Sequence, residues 1–173
     1  THMYANDNKG LIPQFEQNSG SWLWDVAKKT CDALTQNGAK RNILYCVSPY
    51  SLVRDKDPLY PFWEPSGDRR IIGYAWMGKR GPTKANYLTA LEDKYKKPYS
   101  TKISARNAAS TELAADAVVS SGAGTSGQND NFSDIPSTAI SISGFYHRSN
   151  HMSGRKPAGG NILFLDGHSV WRG

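Results

Sequence analysis

The chain has 173 residues, 38% of them hydrophobic and 21% charged, and a formal net charge of +6, which suits one soluble domain with a real core. No apolar run approaches the roughly 20 residues of a membrane-spanning helix. The 21 Lys and Arg are scattered in short clusters such as "GAKR", "DRR" and "KYKKP", with no recognition helix or zinc-finger spacing, which argues against nucleic acid as a partner and for a solvated basic surface.

The opening Thr-His-Met has the form of a cloning remnant, so residues 1–3 are set aside and residues 4–173 are read as a single globular domain. "NDNKG" then reads as a helix end, with Gly10 as its cap. The clearest helix is predicted over 21–37. Ser21 would cap it, Asp25 lies in its first turn, Leu23, Ala27, Cys31 and Leu34 share one face, and Gly38 ends it. "RNILYCVS" follows as a strand over 42–48. The stretch "PYSLVRDKDPLYPFWEPSGD" has four prolines and no period, so it is a loop pinned by Tyr60, Phe62 and Trp63 or presenting them as a binding surface. A strand is expected over 70–76 and a weaker one in "TELAADAVVS". "TKANYLTALEDKY" reads as a short helix or turn, and "SSGAGTSGQNDNFSDIPST" and "RSNHMSGRKPAGG" as loops. "NILFL" and "HSVWR", over 161–172, flank Asp-Gly and predict a terminal hairpin.

Each candidate site has a plainer competitor. Asp166 and Gly167 tolerate the positive φ that a type I′ turn demands, so the turn explains them without a ligand. His168 opens the return strand, where alternation puts His168, Val170 and Arg172 on one face and Ser169 and Trp171 on the other. A metal-dependent enzyme would draw on His147, His151, Asp166 and His168. The loop character around the first two favours a His that packs on, or hydrogen-bonds to, the hairpin instead. Asp130, Asn131 and Asp134 offer oxygens to calcium but lack the fixed spacing of an EF-hand. No nucleophile elbow and no phosphate-binding glycine loop is present, so no catalytic residue is named. Cys31 and Cys46 do not have zinc-site spacing; they are either a disulfide or two buried thiols.

Several stretches together resemble a known family. "YANDNKGLIP" looks like the end of the long N-terminal helix of prepilin-like proteins, and "WLWD" with "ILYCVSP" like the next helix and first strand. "HRSNHMSGRKPAGGNILFLDGHSVW" resembles the C-terminal signature of a pseudopilin-like family defined by a His, a nine-residue spacer and Asp-Gly. Its residues here would be His151, Asp166 and Gly167, followed by His168. The chain departs from the pattern, with 14 residues between His151 and Asp166, the excess lying in "MSGRKPAGG" as a loop insertion.

The resemblance implies an α+β pilin-like fold, a helix packed on an antiparallel sheet with long loops and a C-terminal hairpin. It implies a non-enzymatic subunit of a type II secretion or type IV pilus-like system, located in the periplasm or outside the cell. Its partners would be other pilin-like subunits or secretion-system proteins, and it would meet the membrane only through an apolar N-terminal helix preceding these residues. An oxidising location would favour a Cys31–Cys46 disulfide. The alternative functions are a surface polysaccharide- or protein-binding module and the metal-dependent enzyme above. No cofactor is implied beyond the calcium already weighed.

Overall fold

A computed structural model describes residues 1–13, 23–46, 63, 68–78, 102–120, 131–133, 135–136 and 146–173. Helix α1 (His2–Asp7) is followed by Lys9 and Gly10, both at positive φ. Strand β1 (Asp25–Ala27) runs directly into helix α2 (Lys28–Gln36). The helix expected over 21–37 is therefore shorter. Asp25, Val26 and Ala27 pair antiparallel with β2 (Arg69–Ile71), and all three are buried. A segment buried on every side carries no period, so helical spacing at Leu23 and Ala27 was compatible with a strand. Ser21 lies outside the described residues, and Ala27 occupies the cap position.

The other end of α2 is as expected. Gly38 donates to the Thr35 carbonyl (3.1 Å) and Ala39 to the Leu34 carbonyl (3.1 Å), with Gly38 at φ +89. That paired bonding satisfies the last carbonyls of the helix. Cys31 and Leu34 face the core.

Where the strand over 42–48 was expected, a 3-10 turn (Arg41–Leu44) forms, after which Tyr45 is extended; residues 47 and 48 lie outside the described residues. Its partners explain the difference. The Leu44 carbonyl accepts from Gly73 N–H (2.9 Å), and the Tyr45 hydroxyl donates to the Ile71 carbonyl (3.1 Å). A Cβ on Gly73 would sit 3.1 Å from Cys46 N and 3.1 Å from Tyr45 Cα, so glycine lets this segment press against the break between β2 and β3 (Tyr74–Trp76).

The main sheet is antiparallel and also contains β4 (Glu112–Asp116). Short pairs form between β5 (Ile135–Pro136) and β6 (Tyr146–His147), and between β7 (Met152–Ser153) and β8 (Lys156–Pro157). Strands β9 (Gly160–Phe164) and β10 (Ser169–Arg172) complete the four-stranded order β10-β9-β4-β3. The fold is thus a helix with antiparallel sheets, an α+β arrangement. Ile12, Val26, Cys31, Leu34, Ile71, Ile72, Trp76, Leu113 and Leu165 form its core.

The terminal hairpin is present, with a different turn. Gly167 donates to the Phe164 carbonyl (3.0 Å), and Phe164 N–H donates to the His168 carbonyl (2.9 Å). Gly167 has φ +96, whereas Asp166 is not at positive φ. A type I′ turn needs positive φ at both central residues. Here Leu165 and Asp166 are central, Gly167 takes the left-handed position, and Leu165 is swept fully into the core.

Candidate functional site

A bulge in β4 prepares the site. Glu112 pairs with Phe164, but Ala114 pairs with Leu163, so Leu113 is an extra residue. Alternation from Leu113 alone would send Asp116 to the opposite face. The extra residue resets the phase, and Asp116 shares the face of Ala114, where both are buried. Tyr74 lies opposite Asp116 in the register. Its phenol is pushed up to about 12, by burial first and then by the charges of Asp116 and Cys46.

The loop before β7 supplies the imidazole. Ser149 and Asn150 are fully buried. The Ser149 hydroxyl donates to the Val119 carbonyl (2.6 Å) and accepts from Val119 N–H (2.8 Å). The Asn150 amide donates to the Gly73 carbonyl (2.7 Å). These bonds stitch the loop to the edge of the core and present His151 in a left-handed conformation, φ 49. Such a conformation is uncommon outside glycine and marks a position fixed by its surroundings.

His151 Nε2 lies 2.9 Å from Asp116 Oδ2 and 3.3 Å from Cys46 Sγ. Asp116 Oδ2 also accepts from Asn161 N–H (2.7 Å) and from the Asn161 amide (2.9 Å). The Asn161 amide nitrogen is 3.4 Å from His151 Nε2. The Trp171 ring meets the imidazole edge-on, with centroids 5.0 Å apart. Residues from the 41–46 turn, β4, the 148–151 loop and β9 thus converge on one point. Cys46 and Asp116 are buried and His151 is partly exposed.

The expected sites fare unevenly. His151 does brace the hairpin, but through Trp171 on β10 and Asp116 on β4. The stretch between His151 and Asp166 contains the small β7–β8 hairpin, turning at Gly154 and Arg155. It folds away from the path, and Ala158 N–H returns to donate to the His151 carbonyl (2.8 Å). Asp166 accepts from His168 backbone N–H (3.1 Å) and lies 2.5 Å from its Nδ1. His168 stacks on Phe164. His151, Asp166 and His168 are not assembled as one site: His151 turns to Asp116 while the Asp166–His168 pair is exposed at the hairpin tip. The side chain of His147, and Asp130 and Asp134, lie outside the described residues.

Of the two readings of Cys31 and Cys46, the structure has the buried thiols and not the disulfide that the resemblance favoured. No disulfide joins them, and both are buried. The Cys31 thiol is pushed up to about 12, chiefly by burial, with Arg70 and Asp32 as its charged neighbours. Cys46 instead faces His151, because the segment carrying it is a 3-10 turn docked at Gly73 and not a strand beside α2. Of the aromatic loop, Tyr60 and Phe62 lie outside the described residues. Trp63 packs against the core, with the Arg70 guanidinium 4.1 Å and the Arg41 guanidinium 5.9 Å from its ring centroid and Tyr45 at its edge. That ring is engaged within the protein and is no open binding platform.

Sequence reasoning missed Asp116, Asn150, Asn161 and the place of Cys46 in the cluster. Asp116 looked like an ordinary polar residue of a strand, and only the bulge turns it inward. Cys46 and His151 are 105 residues apart in sequence, and no local spacing links them. No family model, no curated protein and no solved structure matches the chain.

Proposed function

We propose that this chain is the globular, extracytoplasmic part of a pilin-like, specifically pseudopilin-like, subunit. Its work is protein–protein contact in a type II secretion or type IV pilus-like assembly, without catalysis. The observation that carries the reading is the tail. The residues resembling the family signature all have architectural work in the terminal hairpin: Asp166 and Gly167 make its turn, and His151 ties it to β4. The β7–β8 hairpin accommodates the longer spacer by folding off the main path. Among the described residues, strand β10 lies at the edge of the sheet and exposes Val170 and Trp171, a surface suited to contact with a neighbouring subunit. Among the described residues no helix is long and apolar enough to cross a membrane, so the reading assigns the anchor to an apolar helix preceding these residues.

The test uses the full-length native gene expressed in a bacterium with a prepilin peptidase. The expected result is a cleaved, methylated N-terminus and recovery of the protein in the membrane or sheared-filament fraction. An unprocessed protein found wholly in the soluble fraction would overturn the proposal.

A further inference from the structure

From the convergence of Cys46, Asp116 and His151, we propose a structural site for a zinc-class divalent metal ion that clasps the 41–46 turn, β4 and the 148–151 loop together. The inference does not depend on the pilin-like reading. The three ligand atoms lie within 4.8 Å of one another, and they come from three separate parts of the chain. The arrangement asks too much of one nitrogen. His151 Nε2 faces a thiol at 3.3 Å, a carboxylate oxygen at 2.9 Å and an amide nitrogen at 3.4 Å. An imidazole nitrogen has either one N–H or one lone pair, so it serves one of the three directly. A cation among them would be served by the sulfur, the nitrogen and the carboxylate at once.

The donor set selects the metal. A thiolate, an imidazole and a carboxylate are the ligands of a tetrahedral zinc site, whereas calcium and magnesium take oxygens alone. The Asn161 amide lines a fourth side, bonded to Asp116 Oδ2, and can turn its oxygen inward. Hydrogen bonds that orient metal-binding carboxylates are the expected surroundings of such a site, and Asp116 receives them from Asn161 N–H and from the Asn150 amide (3.4 Å). A cysteine-nucleophile triad fits less well. It needs the thiol on one ring nitrogen and the orienting carboxylate on the other, while here both address Nε2.

The test is zinc and cobalt(II) titration of the purified, chelator-stripped chain. All proteins carry His2→Ala, because an imidazole next to the amino terminus is a metal ligand in its own right. The expected result is one equivalent of zinc bound, a rise in melting temperature on loading, and a thiolate-to-cobalt charge-transfer band in the near ultraviolet. Cys46→Ser and His151→Ala should each weaken zinc binding at least tenfold, and Cys46→Ser should abolish the band. Cys31→Ser and His168→Ala should leave both unchanged. The cobalt band of the parent protein keeps the proposal open to refutation even if a ligand variant folds poorly. Folded parent protein that takes up no zinc, a cobalt complex without the thiolate band, or a band that survives Cys46→Ser and vanishes with Cys31→Ser would each overturn it.

Discussion

At the hairpin tip, Asp166 accepts from both the backbone and the ring of His168, and the side-chain bond is the larger influence that lowers its pKa below the usual 3.8. A depressed carboxylate contributes stability above its unfolded value, and loses that contribution as the pH falls through the folded one. The window is therefore acid, below about pH 4. Because the pair is exposed, the effect belongs to the local turn and not to global unfolding. A carbon-detected NMR titration should give an Asp166 midpoint under 3.8, and His168→Ala should move it back up. A midpoint insensitive to that substitution would show that the imidazole is not the cause. Asp166-Gly167 was legible in the sequence as a turn because its cause is local. The type of turn was not, because burial of Leu165 decides which residues are central.

Among the elements, α2 and β2 are joined by one side chain. The buried Arg70 pairs with Asp32 on α2, donates to the Lys28 carbonyl (3.2 Å) and to the Trp63 carbonyl (3.1 Å), and lies over the Trp63 ring. A planar guanidinium can do all of this together; an ammonium cannot. Arg70→Lys keeps the charge yet should cost roughly 1–2 kcal/mol through the lost fork and stacking, read by urea denaturation followed with tryptophan fluorescence. Unchanged stability would mean that charge alone suffices. This junction also shows why element boundaries eluded the sequence. Strand β1 hands over to α2 within a continuously buried segment, so apolar spacing could not mark the change, while the Gly38 stop could be read directly. The strand pairing of β9 with β10 was legible for the same local reason as its turn, whereas the bulge at Leu113 has no sequence mark.

Taken whole, the molecule holds a thiol deep in its core. Cys31 is raised from 9.0 to about 12, mainly by burial. A raised folded value means that the contribution is intact below about pH 9 and is lost as pH climbs from there towards 12, because the unfolded chain ionises first. Parent protein should therefore lose stability between pH 8 and 10.5 more steeply than Cys31→Ala, as measured by urea midpoints at each pH. Parallel pH dependences would assign the alkaline loss to other groups. The cluster around His151 shows the limit of sequence reasoning at this scale. Its members are remote in the chain, and they meet only because Gly73 admits Cys46, the bulge aims Asp116, and buried Ser149 and Asn150 fix the approach of His151.

Leu165 has a consequence for the order of assembly. It is wholly buried, donates its N–H to the Thr111 carbonyl (2.8 Å), and sits at the tip of the terminal hairpin. The plug of the core thus bonds to a segment remote from it in sequence. Closing the core therefore depends on contacts between segments remote in sequence, which form late and leave apolar surface exposed until they do. Leu165→Ala should cost about 3 kcal/mol, and a chain stopped at Phe164 should be cleaved by a protease throughout the core segments that the full chain protects. Equal protection of the two chains would place the closing step earlier, before the hairpin exists.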